Sequence, residues 1–385
     1  MVSTNRFYFI VIVNLNLSYM KFYGIGHLIA ITIALSSCNM SKKDKLFLDT
    51  CPQKQLIVFE KEYLLNDILD PKCIHLLNGV LIVQSRGSDN NLISVIDTSN
   101  FNEIARFCKQ GKGPNEVGVM GFVCKINEDS VVVSDFSDFE NYVFSIKNVL
   151  NGSSEPSSVF KAKNKHGATL ALDFIGLNSS KKIVATGIHA EGRYALYDEN
   201  GSLQNYYVDY PQLENIESEN ELLQAMTFQA ALSQLKDNRY FASLSRGVID
   251  IVEYSEEKGI SLVARREYYK DQLKLFGDIN RSGVAYPTVS TSSESIVGFE
   301  GYHFQSSDEY IYCLFSPKKY SHFKARHSKP YFNDLVTLDW RGEPQTHYYF
   351  DRDVFGFAVA NDNSTVFFLA YNKDGEPVIL KSRIA

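Results

Sequence analysis

Tryptophan is nearly missing from this chain of 385 residues, which has one copy against 23 tyrosines and 26 phenylalanines. Cysteine is scarce as well: none of the six forms a C-x-x-C pair, which argues against zinc ribbons and thioredoxin-like redox sites. Basic charge is in deficit, with 39 Lys and Arg facing 45 Asp and Glu for a net charge of −6. An acidic chain without a basic stripe is a poor partner for nucleic acid. The eight histidines are scattered with no H-E-x-x-H pair, and no G-x-S-x-G elbow is present. No catalytic residue, metal or cofactor is expected from these patterns.

A long apolar run is also lacking. A spanning helix needs about 20 apolar residues, whereas Ile25 to Leu35 is short and broken by Gly26, His27 and Thr32. Read from Met20, the stretch "MKFYGIGHLIAITIALSSC" has one lysine, a brief hydrophobic core and small residues before Cys38, which is the anatomy of a signal peptide. Residues 1–19 then read as a mis-called start and 20–37 as the signal. Leu35-Ser36-Ser37-Cys38 resembles the bacterial lipobox, which implies cleavage before Cys38 and lipid on its thiol and amino group. Two or more acyl chains anchor stably, at about 0.8 kcal/mol per buried methylene. Residues 38–54 form a lipidated tether and 55–385 the folded domain. Removal of Arg6 and Lys21 with the leader leaves 37 basic against 45 acidic side chains, net −8.

What fills the chain is short β-branched and aromatic runs, such as "GVLIVQS", "DSVVVSDF", "YIYCLF" and "TVFFLAY", each bounded by Asn, Asp, Gly, Ser or Pro. That is the grammar of an all-β chain. A strand entering a polar turn recurs six times, in "ISVIDTSN", "YVFSIKNVLNG", "YALYDENGSL", "IDIVEYSEEKG", "LVTLDWRGEP" and "FFLAYNKDGEP". Repeats of roughly 40 to 50 residues with several strands each mark propeller blades. The expected fold is a six-bladed β-propeller of four-stranded antiparallel blades. One helical insertion is expected over Glu217 to Asp237, with Leu222, Met226, Leu232 and Leu235 apolar. An early strand around Ile57 to Leu64 is expected to close the last blade beside "PVILKSRIA" and so remove an open edge.

The stretch "FCKQGKGPNEVG", Phe107 to Gly118, resembles the G-x-G-P-x-E-F loop after the first blade of TolB-like six-bladed β-propeller lipoproteins of the Bacteroidetes type. Gly111, Gly113, Pro114 and Glu116 match, and Val117 replaces the usual Phe. The resemblance implies an anchored envelope propeller without general enzymatic activity. By its own chemistry the loop is a structural turn, because Pro114 stands where a phosphate cradle needs an amide donor. Glycine is expected to supply positive φ there, and Glu116 to cap free amides.

Other candidates are weaker. Asp135, Asp138 and Glu140 crowd one turn, yet EF-hand spacing is absent. Cys51 with Cys73, or Cys108 with Cys124, stand as disulfide pairs in an oxidising envelope, with buried free thiols as the alternative. His166, His189, His303, His322, His327 and His347 each read as a surface or satisfied core residue. The segment Phe299 to Phe332 combines aromatics (Tyr302, Phe304, Tyr320, Phe323, Tyr331) with Lys318, Lys319, Lys324, Arg326 and Lys329. Interface cores favour aromatics and arginine, so Tyr320, Phe323, Lys324, Arg326 and Lys329 are the candidate partner surface. The functional expectation is an outer-membrane lipoprotein whose propeller binds an envelope protein, peptide or glycan. The alternative is an envelope hydrolase or lyase acting on carbohydrate or lactone.

Overall fold

The computed structural model describes residues 47–384 apart from 67, 88, 165–166, 169, 178–180, 213–220, 234–235, 238, 271–272, 277–287 and 324–330. Two compact units divide the chain, Met1–Asp49 and Thr50–Ala385. Of the first unit only the start of a 3-10 turn, Phe47–Thr50, is described. The leader and Cys38 lie outside the described residues.

The second unit is built from consecutive antiparallel sheets. Four of them have four strands each: residues 68–109 (blade 1), 120–161 (blade 2), 171–207 (blade 3) and 231–267 (blade 4). Blades 5 and 6 are fused into one larger sheet by a single strand, Pro344–Val359. Its first half pairs with Phe332–Leu338 as the outer strand of blade 5, and its second half pairs with Thr365–Tyr371 as the inner strand of blade 6. The sequence explains the change of role. Up to Asp353 exposed Tyr349, Asp351 and Asp353 alternate with more buried neighbours, while Val354 to Val359 is buried without a break. A strand buried on both faces reads as a continuous apolar run.

Lys61–Leu64 closes the ring by pairing antiparallel with Pro377–Arg383, Tyr63 opposite Ile379. This is the strand expected to close the last blade. The residues just before it do something the sequence did not suggest: Gln53–Leu56 adds a parallel strand to the outer edge of blade 5, opposite Thr346 to Tyr349. Within each blade the strands alternate in direction. The turns joining first to second and third to fourth strands therefore share one face, here the turn face. The second-to-third turns and the blade-to-blade loops share the opposite, loop face.

Apolar residues fill the seams between blades. Leu77, Val95 and Phe107 of blade 1 meet Val131, Val133 and Phe144 of blade 2, and Leu81, Val83 and Ile96 meet Phe355, Phe367 and Ile379 of blade 6. At the seam of blades 4 and 5 aromatic rings take over, with Tyr268 and Tyr269 edge-on or tilted against Phe299 at 5.5 and 5.6 Å. Offset and T-shaped rings are the favoured packing of aromatic quadrupoles.

Several local expectations change. Five of the six strand-turn repeats fall on third strands, but "FFLAYNKDGEP" falls on the second strand of blade 6, whose third strand is Pro377–Arg383. The same polar turn chemistry ends both strands, and so the last interval is short. Among the described residues the helix covers Glu221–Thr227 and buries Leu223, Ala225 and Thr227, while residues 217–220 lie outside the described residues and Leu232 belongs to the inner strand of blade 4. A second short helix, Ile146–Leu150, was not expected; Ser145 caps it.

The loop after blade 1 is a packed turn. Glu116 accepts from the Gly113 amide at 2.8 Å and pairs with Lys109 at 3.0 Å. Positive φ is found at Cys108 and Asn115, and not at Gly111 or Gly113. Glycine at 111 leaves room for the Glu116 carboxylate, since a Cβ there would lie 1.9 Å from Glu116 Oε2 and would push it off the Gly113 amide. Val117, in the place of the family's Phe, is wholly buried in the seam between blades 1 and 2.

Deleting residues 377–385 removes Val378, Ile379 and Leu380 from the core and leaves two strand edges unpaired. The shortened chain is expected to aggregate and to lose its cooperative calorimetric transition. A cooperative melt at the parent temperature would show that the ring does not depend on this closure.

Candidate functional site

Around the axis, polar side chains of the inner strands reach the next blade. His75 Nε2 donates to the Val123 carbonyl at 2.9 Å, and the Cys124 thiol meets the Leu172 carbonyl at 3.8 Å. Asp173 accepts from the Leu232 amide at 2.6 Å and from Phe174 at 2.8 Å. Gln305 donates to Phe357 at 2.8 Å and accepts from Val359 at 3.1 Å. Burial pushes the Asp173 carboxyl up to about 6, against the lowering by the Cys124 thiol and the two amides. Burial also raises the thiols: Cys108 to about 12, with Cys124 and Cys313 well above their ordinary value. High thiol pKa values mean little thiolate and poor nucleophiles. No disulfide joins any two of the five described cysteines, and all but Cys51 are buried.

The densest polar constellation sits on the loop face of blade 3, in the turn 188–193 between strands Lys182–Gly187 and Tyr194–Tyr197. Its sequence is "IHAEGR". Arg193 is 1% exposed and its Nε lies 3.1 Å from Asp250 of blade 4, also fully buried. Arg265 grips the same carboxylate from the other side at 2.7 and 2.9 Å. The Tyr194 hydroxyl donates to Asp250 at 3.0 Å, and Arg193 Nη2 donates to Ser245 at 2.9 Å. Buried ions are tolerated only when paired and hydrogen-bonded, and here one carboxylate is shared by two guanidiniums.

Two buried atoms beside this network have no hydrogen-bond partner among the described residues: Arg193 Nη1 and His189 Nε2. Burial lowers His189 to about 4, against the raising by Glu191, so its ring is neutral at neutral pH. Gly187 makes room for it, because a Cβ at 187 would stand 2.7 Å from His189 Nε2 and 2.4 Å from the Leu170 carbonyl. His189 also stacks obliquely on Tyr206, with ring centroids 5.3 Å apart. Tyr206 lines an adjoining cleft of about 520 Å³ with Lys163, Asn164, Glu191, Ser202 and Leu203. That volume is in the range of small-molecule sites. Its mixed lining of ammonium, carboxylate, amide and hydroxyls suits a polar ligand held by hydrogen bonds.

The sequence singled out few of these residues. His189 was read as surface or satisfied core; it is buried and unsatisfied, since the turn folds its ring over Gly187. Arg193 was missed, and its signal was a charge set directly against the apolar strand "YALY". Asp135 takes amides from Gly118, Val119 and Ser137, so its oxygens bind backbone. Among the described residues no group of three or more His, Cys, Asp or Glu side chains gathers as metal ligands. His347 is bonded to Asp334 at 2.6 Å and His322 to the Lys319 amide at 3.2 Å; His166 and His327 lie outside the described residues.

The segment 299–332 is mostly blade. Phe304 is buried in the strand Ile296–Ser306, Phe323 packs on the core of blades 5 and 6, and Tyr331 meets Phe355 edge-on. Tyr320 is 40% exposed. Lys319 is paired with Glu294 and Lys318 is bonded to Asn333. Lys324, Arg326 and Lys329 lie outside the described residues.

Asp250→Ala leaves Arg193 buried without a carboxylate and is expected to destabilise by about 3–5 kcal/mol. Urea denaturation checks this, and a loss below about 1 kcal/mol would mean that the pair is not a fastener between blades 3 and 4.

Residues 47–362 match the model of a family described as TolB-like 6-blade propeller-like. Among solved structures, a DUF4221 family member from Bacteroides vulgatus is similar at TM-score 0.55 and 12% identity, covering 85% of this chain and 97% of that one. A Bacteroides fragilis protein named for its expected export follows at TM-score 0.51 and 9% identity, covering 86% and 99%. No curated protein sequence matches. Such low identity speaks for the fold alone, whereas the family model spans most of the sequence and agrees with the six observed blades: the chain belongs to the TolB-like six-bladed β-propeller family.

Proposed function

We propose that this propeller is a non-enzymatic binding module of the cell envelope, held to the outer membrane by lipid on Cys38 and recognising a protein, peptide or glycan. One observation carries the preference for binding over catalysis. The inner-strand histidine, thiol, carboxylate and amide of His75, Cys124, Asp173 and Gln305 are engaged by backbone groups of neighbouring inner strands, as fasteners between blades. A catalytic acid or base must instead be within reach of the proton it moves. Leu35-Ser36-Ser37-Cys38 and the similarity to a protein named for export support the envelope setting. Tyr320 with Lys324, Arg326 and Lys329 is the proposed contact surface.

The native protein is expected to yield an acylated Cys38 peptide by mass spectrometry and none from residues 1–19, and Cys38→Ala is expected to free the domain from membranes. Reversing charge at Lys324, Arg326 and Lys329 in the anchored protein is expected to weaken co-purification of its envelope partner with an unchanged melting temperature. A soluble, unmodified chain that keeps its leader overturns the anchor. Undiminished capture overturns the surface.

One feature favours the hydrolase alternative, since a carboxyl raised to about 6 is suited to acid–base work. As a fastener, Asp173 makes a different demand. Its folded pKa lies above the ordinary value of 3.8, so its contribution to stability is complete below that value and is lost as pH rises through about 6. Asp173→Asn is therefore expected to raise the melting temperature relative to the parent at pH 8 and to leave it little changed at pH 4. The opposite order would show that the charged carboxylate is the form the fold needs.

A further inference from the structure

The only tryptophan of the chain stands on the turn face of blade 5, apart from the cleft at blade 3. Trp340 is in the third-to-fourth turn of blade 5, which follows Phe332–Leu338, and its indole N–H donates to the Ser307 carbonyl at 3.1 Å. The first-to-second turn of the same blade, 307–310, lies beside it. Both turns are held by their own bonds. Asp339 accepts from the Arg341 and Glu343 amides at 2.8 and 2.9 Å, and Ser307 Oγ accepts from the Tyr310 amide at 3.1 Å. Together with Lys236 from the corresponding turn of blade 4 they border an open hollow of about 420 Å³, lined by Lys236, Asp308, Glu309, Tyr310, Asp339, Trp340 and Arg341.

Three features of this pocket point one way. The Lys236 ammonium lies over the Trp340 ring, 5.5 Å from its centroid, with no carboxylate partner among the described residues. Asp339 is paired with Arg341 at 2.9 Å, which leaves Asp308 and Glu309 as exposed carboxylates with no cation paired to either among the described residues. Tyr310 adds a second ring. An aromatic face that already carries an ammonium, next to two unneutralised carboxylates, has the chemistry that recognises organic cations. Lys236 reaches the ring but not the acids, so the pocket holds an internal cation and retains negative charge for another.

We propose that this pocket binds the ammonium group of a ligand, primary or quaternary, which takes the place of Lys236 over Trp340 while Asp308 and Glu309 balance its charge. The site rests on the reading of the propeller as a binding module, and names for it a ligand class and a second site. It is independent of the anchor and of the contact surface proposed around Tyr320, so each can fail without the other.

Because Trp340 is the sole indole, its fluorescence reports on this pocket alone. The purified full chain is titrated with choline and with cadaverine at constant ionic strength, with sodium chloride and maltose as controls. Saturable quenching by the amines and none by the controls is expected. Lys236→Met removes the internal competitor and is expected to tighten amine binding roughly two- to fivefold, the size of an exposed cation–π contact. The pair Asp308→Asn and Glu309→Gln keeps the reporter and is expected to weaken binding with an unchanged melting temperature. The proposal is overturned if neither the parent nor Lys236→Met responds to amines. It is equally overturned if maltose quenches and the amines do not, or if Lys236→Met binds amines more weakly than the parent.

Discussion

The bond between Ser382 Oγ and the Val58 carbonyl joins residues 324 apart in sequence, and beside it Lys61–Leu64 completes the sheet of blade 6. The rest of the ring depends on this contact. A four-stranded blade is apolar on both faces and buries them only between two neighbours, so a chain of blades always leaves its terminal faces uncovered until the ends meet. Closure turns the wet faces of blades 1 and 6 into a seam, in which Leu81 and Val83 pack with Phe367 and Leu369. The entropy of bringing such distant segments together grows only slowly with the length of the loop, and one strand's hydrogen bonds plus a full seam offset it.

Closure also explains why polar groups accumulate where they do. Inner strands crowd together at the axis, and their buried backbone groups need partners that a four-stranded sheet cannot supply on its inner edge. His75, Cys124, Asp173 and Gln305 supply them. Further out, between blades 3 and 4, Arg193, Asp250 and Arg265 form a buried ionic link where apolar packing prevails elsewhere. The ring then carries pockets on rigid strands. The cleft along the outer strand of blade 3 is polar, and the turn-face pocket at blade 5 is aromatic and acidic.

Strand identity and the closing strand were legible because they depend on near neighbours: "GVLIVQS" and "LISVID" can bury both faces only as central strands, and turn residues bound them. Blade register at the end of the chain was not legible, because "FFLAYNKDGEP" has the same local grammar as a third strand and only its partners reveal it as a second strand. The helix was read too long at its end for a related reason: Leu232 keeps helical spacing with Leu235 in sequence, yet it is claimed by a strand whose amide bonds to Asp173 in blade 3. At Gly111 the residue type was informative and the reason was not, since a missing Cβ can serve conformation or space and the Glu116 carboxylate decides for space.

Composition, strand periodicity and the G-x-G-P-x-E loop determined by themselves that this is an acidic all-β propeller with ends that pair, because those signals are read within a few residues of each other. The sites were decided only by tertiary structure. Arg193 and Asp250 are 57 residues apart, and Lys236 and Trp340 are 104 apart. No local pattern records that the turn of one blade will stand over the turn of the next, because ring geometry sets that distance and local sequence does not.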